Sequence, residues 1–432
     1  MSSRNSDPDP DTDVSEGSQY NTKVVVGSLI IGVFFGGIGA GVAFPTLPTL
    51  GTILGISPFV VGVILSSNRF TRLVMNTPAG QIIDKLGTRK PMLIGFAFQA
   101  ITPFGYVLGL YPEYVPVAGA AEIFFVARAQ WGIGSAFVFV GAFSMITKIT
   151  TQQNRGKWLG YFRGGQTLGV PAGMVVGGIL TDLYGYAVAF LSSGVVALIA
   201  AIVAAAVLPD IRPSVGQTAG IRDIPGIIQA DPRILAIGSV NFVVRFLFAG
   251  VLLVTIVLYA EANEIGIGEF SAVGASGLIM AVSLLFSSVT TLISGNLSDR
   301  VSNRAMITLP ALGCLGFGFA LLGILPTLVG TLVGVAAIGI GAGGTNPPLL
   351  AYLGDLSPEA DTGKMGGVYN IFGDLGATVG PLIALPVAAR IGYRAEYLAC
   401  VGLVVLVTLV VLRVLIGTST TVDSTNKAPS DN

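Results

Sequence analysis

Twelve apolar runs of membrane-crossing length follow one another along this chain, separated by short polar loops. A run of about 20 apolar residues crosses the hydrocarbon of a bilayer as a helix. Lipid offers no partner to backbone groups, so such a run must satisfy its own hydrogen bonds, and helices do that. The spans are expected at 24–44, 57–79, 91–111, 119–146, 158–181 and 186–208, then at 234–260, 270–295, 305–325, 328–353, 365–390 and 394–416. The fold class that follows is an all-α polytopic membrane protein.

Composition agrees with that pattern. Charged residues make up 11% of the chain and hydrophobic residues 52%, where a soluble domain carries about a quarter charged. The 59 glycines exceed what soluble helices tolerate, whereas small residues let membrane helices pack closely. The chain has no histidine, which removes haem, most zinc sites and imidazole acid–base chemistry. No nucleophile–base pair or acid cluster stands in the spans either, so the chain is not expected to be an enzyme, and no metal or cofactor is expected. Cys314 and Cys400 fall inside spans as packing residues. The zero net charge names no partner; the lipid bilayer is expected, nucleic acid is not.

Residues 1–22 are polar and carry Asp7, Asp9, Asp11, Asp13 and Glu16, the composition of a disordered tail. Residues 417–432 read as a second loose tail. Between them, residues 209–233 hold Pro209, Pro213, Pro225 and Pro232 and read as a linker joining six-helix bundles at 23–208 and 234–416. Cations in short loops mark the cytoplasmic side. One set of loops holds Lys85, Arg89, Lys90, Lys148, Arg155, Lys157, Arg212, Arg222, Arg233, Arg300, Arg304 and Lys364; the other holds only Arg390 and Arg394. This places both termini in the cytoplasm and the chain in the cell membrane.

The two bundles are related. An ungapped shift of 207 residues lays Gly132-Ile133-Gly134 on Gly339-Ile340-Gly341, and Gly160, Gly169 and Gly173 on Gly367, Gly376 and Gly380. The same shift brings Gly185-Tyr186 onto Gly392-Tyr393. Duplicated halves with a site between them are a common construction of carriers that open to either side in turn.

One loop is more specific than the rest. Gly80-x3-Asp84-Lys85-x-Gly87-x-Arg89-Lys90 joins spans 2 and 3, and a degraded copy containing Asp299 and Arg300 follows span 8. With this motif the chain resembles the major facilitator superfamily, in particular its twelve-span drug:proton antiporters. The resemblance implies the major facilitator fold, two pseudo-symmetric six-helix bundles, and a monomer. It also implies that Asp84 caps the N-terminus of span 11, where an anion is favoured, so that the loop latches the cytoplasmic face. Gly160, Gly169, Gly173, Gly177 and Gly178 resemble the antiporter signature of span 5, with Met174 where that signature has proline; Gly380-Pro381 in span 11 keeps it. Glycines four apart share a helical face, so close packing explains them equally. Arg128-x3-Gly132-x-Gly134 is similar to the family's span-4 motif, which is associated with proton coupling.

Charges inside the spans must avoid lipid, because each costs several kcal/mol there. Arg69, Arg72, Arg128, Arg163 and Arg245 are all placed inside, with Asp374 as the one deeply buried acid. Asp374 and Arg72 each fall roughly 12 Å from the cytoplasmic ends of their spans. Spans 2 and 11 face each other in the superfamily fold, so an Arg72–Asp374 pair is expected, with Arg69 as a substitute and Arg245 as the rival partner. Asn241 with Arg245, and Asn370 with Asp374, form polar faces four residues apart. Asn346-Pro347-Pro348 breaks hydrogen bonding in span 10, as a hinge or a ligand site. The functional expectation is a carrier of a small-molecule substrate: efflux of an amphipathic or anionic compound in exchange for protons, with Asp374 as proton carrier. The alternative is an importer or exchanger of an organic or phosphate-type anion, favoured by the arginines and by an acid-free span 1.

Overall fold

The structure, a computed structural model, describes residues 21–151, 154–212, 231–301, 303–356 and 362–416. The tail at 1–20, the tail at 417–432 and most of the expected linker, Arg222 included, lie outside the described residues, as does the side chain of Lys364. The first six spans are α1 (Thr22–Ile53), α2 (Pro58–Leu86), α3 (Arg89–Leu110), α4 (Ala120–Ile149), α5 (Arg155–Tyr184) and α6 (Tyr186–Val207). The seventh, α7, is built from three consecutive segments, Pro232–Arg245, Phe246–Leu252 and Leu253–Ala262, of which the middle one is π-helical. Then come α8 (Ala272–Ser298), α9 (Thr308–Ile324), α10 (Leu328–Asp355), α11 (Thr362–Ile391) and α12 (Tyr393–Val410). Eleven of these runs are long and apolar enough to cross a membrane; α2 falls short. Its deficit comes from Asn68, Arg69, Arg72 and Asn76, the stripe that lines the protein interior.

Local chemistry sets the helix ends. Ser57 caps α2 ahead of Pro58 at its first position, and Thr327 caps α10 through the Gly330 amide. Asp231 caps α7 and also binds the Arg233 guanidinium, which holds its carboxyl below the usual carboxylate range. Helices run past several expected ends. α1 continues through Pro45 and Pro48, where Thr46 and Thr49 hydroxyls donate to carbonyls of the preceding turn. α10 likewise continues through Pro347 and Pro348, so the expected break there is a local loss of amide donors within one helix.

Within the first set, α1 lies on α5, α3 on α4 and α6, and α2 on α4; within the second, α8 and α9 lie on α10, α9 on α12, and α7 on α11. The duplication seen in the sequence reappears in this packing. A Cβ on Gly169 or Gly173 would strike the backbone of Phe34 or Ile38 in α1; on Gly376 or Gly380, the backbone of Phe242 or Gly250 in α7. Gly185 and Gly392, also 207 apart, turn α5 into α6 and α11 into α12 at φ values of 84° and 83°, the left-handed region that glycine occupies without strain. The glycine motif thus joins helices within a half. Gly178 is the exception: it faces the α8 backbone at Val273 and Gly277, and Gly160 meets nothing.

The two sets touch along α2–α11, along α5–α8 and where α1 meets the last segment of α7. We call the end bearing the α6 C-terminus and the α7 N-terminus the linker end, and the opposite one the far end. The far end is shut. Gly62 lies against the Pro381 carbonyl, and Phe44, Leu47 and Leu50 are buried. Asp182 at the end of α5 accepts hydrogen bonds from the amide and hydroxyl of Ser271, the cap of α8.

Two outcomes test this packing. Gly173→Val inserts bulk between backbones in contact, and overpacking of this kind costs about 1–3 kcal/mol or more; it should lower the thermal midpoint and the monodisperse yield in detergent, whereas Gly160→Val should not. Asp182→Ala removes the far-end cap; spin labels at Ile53 and Glu264 should report a distance distribution shifted to longer values than in the parent.

Candidate functional site

Four arginines and one carboxylate meet in the middle of the molecule. Arg72 Nη2 of α2 lies 3.1 Å from Asp374 Oδ1 of α11, an ion pair across the two halves. Both helices extend beyond their apolar stretches, so the pair is deeper than the sequence implied. Arg72 is about 21 Å and Asp374 about 18 Å from the linker ends of their helices. The pair is not sealed: the two side chains are 25% and 31% exposed. Asp374 is therefore half-buried, a correction to its expected deep burial. The Arg72 guanidinium also lies 6.0 Å from the centre of the Phe139 ring, close enough for a cation–π attraction.

Arg69, expected as a substitute for Arg72, does something different. Its Nη1 donates to the Ala377 carbonyl of α11 at 2.7 Å and to the Ala249 carbonyl of α7 at 3.2 Å. Ala249 belongs to the π-helical segment, whose looser winding shifts carbonyls from their usual partners; such segments are frequent at functional sites. One arginine of the first half thus holds two helices of the second. Arg69 also sits 5.8 Å from the Phe44 ring, and it feels the charges of Arg72, Asp374, Arg128 and Arg245.

Arg245 closes the first segment of α7, its stem packed on Gly373. Its guanidinium makes no ion pair among the described residues, and the side chain is exposed. The rival Arg245–Asp374 pairing is absent. Arg163 is exposed as well, so neither it nor Arg245 is the buried charge expected. The asparagines fall around this centre. Asn241 is buried and donates to the Tyr369 carbonyl at 2.7 Å, while the Tyr369 hydroxyl donates to Asn346 Oδ1 at 2.7 Å. Asn370 is exposed. Tyr369 was not among the expected residues; it ties α7, α10 and α11 together, and its only signal was adjacency to Asn370. Arg128 is buried at 3% exposure, with Nη2 donating to the Leu65 carbonyl at 3.4 Å.

The loop at Gly80–Lys90 is anchored in an unexpected way. Asp84 is half-buried and accepts no hydrogen bond among the described residues, so the expected cap on α11 is not made in this conformation. Gly87, at φ 83°, brings the next turn against Asp210 beyond α6. Thr88 exchanges hydrogen bonds with Ile211, and Arg89 donates to the Ala205 carbonyl at 3.0 Å. Lys85 and Lys90 are exposed, and Gly80 meets Val140 only at 3.9 Å. In the second loop Asp299 pairs with Arg304 at 2.6 Å, and Arg304 also binds Asp355 of α10 at 2.7 Å. Arg300 is exposed. A further acid went unnoticed: Glu396, in the first turn of α12, is 4% exposed with Oε2 unpartnered.

A family model described as Major Facilitator Superfamily matches residues 29–381 and 246–431. Among curated proteins the chain is 28% identical to Multidrug resistance protein 1 of Bacillus subtilis over 202 residues; that match covers 45% of this chain and 49%, about half, of the relative. It is 22% identical to Multidrug resistance protein 2 of Bacillus subtilis, covering 82% of this chain and 86% of that one. An uncharacterised MFS-type transporter of Escherichia coli, YhhS, is 26% identical over 92% of this chain and 93% of its own length. Among solved structures, a bacterial homologue of the lysosomal transporter Spinster, inward-facing and unoccupied, superposes with a TM-score of 0.75 at 15% identity, covering 93% of this chain and 99% of that one. The human organic anion transporter MFSD10 gives 0.61 at 18% identity, covering 91% and 100%. These likenesses establish the fold.

Breaking one partner of a buried pair costs about 3–5 kcal/mol; partial exposure of this pair reduces that figure. Arg72→Asp and Asp374→Arg should each cut transport at least about tenfold, which corresponds to 1.4 kcal/mol. The double exchange should recover part of it. Initial rates in vesicles at matched expression measure this.

Proposed function

We propose that this chain, which belongs to the Major Facilitator Superfamily, works by alternating access and exports a small amphipathic or anionic compound in exchange for protons. The observation that carries this reading is the Arg72–Asp374 ion pair, which spans the two halves near mid-membrane and is open to water. Protonating Asp374 removes the attraction that holds α2 to α11 at this level. One group thereby links proton occupancy to the separation of the halves. The relatives named as multidrug resistance proteins support export.

In this reading the linker end faces the cytoplasm of a cell-membrane protein with both termini inside. Two bundles, 23–208 and 234–416, rock as a monomer about the arginine centre. Gly80, Asp84, Lys85, Gly87, Arg89 and Lys90, with Asp299 and Arg300, act on that face as a gate. Asp84 engages α11 when the linker end closes. Of the antiporter-like glycines, Gly169, Gly173, Gly177 and Gly380 hold helices together within a half, Gly178 and Pro381 lie where the halves meet, and Gly160 packs on nothing.

The four arginines favour a second reading. An anion that draws Arg72 away from Asp374 leaves the carboxylate to bind a proton, so anion and proton travel together. That is the behaviour of an importer of an organic or phosphate-type anion. The two readings differ in direction. Everted vesicles with an acidic lumen, tested with amphipathic dyes and aryl carboxylates, should accumulate the substrate if the chain is an exporter coupled to protons, and Asp374→Asn should abolish the dependence on the pH gradient. Accumulation only in right-side-out vesicles with an acidic exterior would establish the importer instead.

A further inference from the structure

The outer face of the second half carries a groove that the arginine centre does not use. It lies between α9 and α12 and has a volume of about 300 Å³. Leu309, Gly313 and Gly316 line it from α9, and Val405, Thr408 and Leu409 from α12. Glycine keeps it open: a Cβ on Gly313 would meet nothing within 4 Å. Thr408 is the one polar side chain on the lining, and its hydroxyl already donates to the Val404 carbonyl at 2.7 Å. Val405, Leu406, Leu409 and Leu412 are exposed alongside, which puts the groove on the face that lipid covers.

The linker-end mouth of the groove has a different chemistry. There α12 continues into a π-helical turn, Val411–Ile416, which touches the short turn Arg304–Ile307 ahead of α9. Asn303 Nδ2 donates to the Leu415 carbonyl at 3.4 Å and joins the two helices at that end. Arg413 follows Leu409 by four residues and Thr408 by five, so α or π winding carries the lining face onto it. It is exposed and makes no hydrogen bond or ion pair among the described residues. Arg394, at the other end of α12, is instead committed to the Gly323 and Ile324 carbonyls. The two arginines are roughly 28 Å apart along the helix, close to the ~30 Å thickness of bilayer hydrocarbon. Arg413 therefore stands at the level of lipid phosphates with its charge unused.

An apolar slot that begins beside an open cation at the hydrocarbon boundary has the form of one lipid chain below its headgroup. From Val401 to Leu409 it runs roughly 12 Å, most of the about 15 Å that one leaflet offers. A helix of a second copy does not fit: the same length of α-helix, about 10 Å across, needs roughly three times the volume. We propose that this groove binds one phospholipid with an anionic headgroup, its acyl chain lying along α9 and α12 and its phosphate on the Arg413 guanidinium, a charge-assisted contact. Basic positions between membrane helices at one boundary bind anionic headgroups in this manner. The site is independent of what is transported and stands if the transport reading fails.

The test titrates the purified full-length protein with dioleoylphosphatidylglycerol and, as the zwitterionic control, dioleoylphosphatidylcholine, read by native mass spectrometry. The parent should retain one phosphatidylglycerol about fivefold more tightly than phosphatidylcholine, the ratio that one basic side chain near an anionic surface supplies. Arg413→Gln should erase that preference. Gly313→Leu, whose side chain enters open space, should weaken both lipids at least about fivefold, and gel filtration checks that both variants stay monodisperse. A diazirine-bearing acyl chain of phosphatidylglycerol should label α9 and α12. Equal affinity of the parent for the two lipids, a preference that survives Arg413→Gln, or affinities unchanged in Gly313→Leu would each overturn the proposal. So would a dimer that Gly313→Leu dissociates, since the groove would then seat a second copy.

Discussion

A guanidinium cannot rest against acyl chains in mid-membrane, and the architecture follows from where four of them are put. Arg69 and Arg72 force α2 inward, because the polar stripe they share with Asn68 and Asn76 makes it the least lipid-compatible span. Once inside, α2 lies on α11 and finds the Asp374 carboxylate together with the Ala377 and Ala249 carbonyls. The crossing of α2 over the other half is thus a consequence of desolvation as much as of shape. Ser66 donating to the Thr378 carbonyl at 2.6 Å completes the same line of polar contacts.

The contacts within a half and those between halves differ in kind. Inside each half, glycines bring backbone onto backbone, at Gly169 and Gly173 on α1 and at Gly376 and Gly380 on α7. Such seams tolerate no added atom, so each pair moves as one body. Between halves, glycine contacts are confined toward the far end, Gly62 on the Pro381 carbonyl and Gly178 and Gly277 across α5 and α8, while the contacts at mid-helix are polar and separable: one ion pair and one arginine on two carbonyls. Water replaces the partners of polar contacts when they part, which makes their net energies modest. Rigid halves joined by separable contacts are what a rocking carrier requires.

The sequence made some of this legible and hid the rest for identifiable reasons. Twelve spans and the 207-residue repeat follow from hydropathy and spacing; the meeting of Arg72 with Asp374 followed from charge only together with the resemblance to the superfamily, in which spans 2 and 11 face each other. Depth did not, because α2 and α11 continue past their apolar stretches into Leu86 and Thr362. Nor did burial: which side of a helix turns inward depends on its neighbours. So Arg163 and Arg245 are exposed and Asp374 is half-open, while Glu396, which the sequence reading passed over, is buried. The π-helical segment of α7 carries no composition signal at all. Its Gly250 lies against Gly380 of α11, and it delivers the Ala249 carbonyl to Arg69.

The four arginines have separate fates. Arg72 is neutralised by Asp374, Arg69 is bound to two carbonyls, and Arg128 is buried against the Leu65 carbonyl. Arg245 has neither carboxylate nor carbonyl among the described residues, is exposed, and adjoins the π-helical segment of α7. An exposed guanidinium with no internal partner is the one of the four that can bind an anionic group without breaking an existing contact.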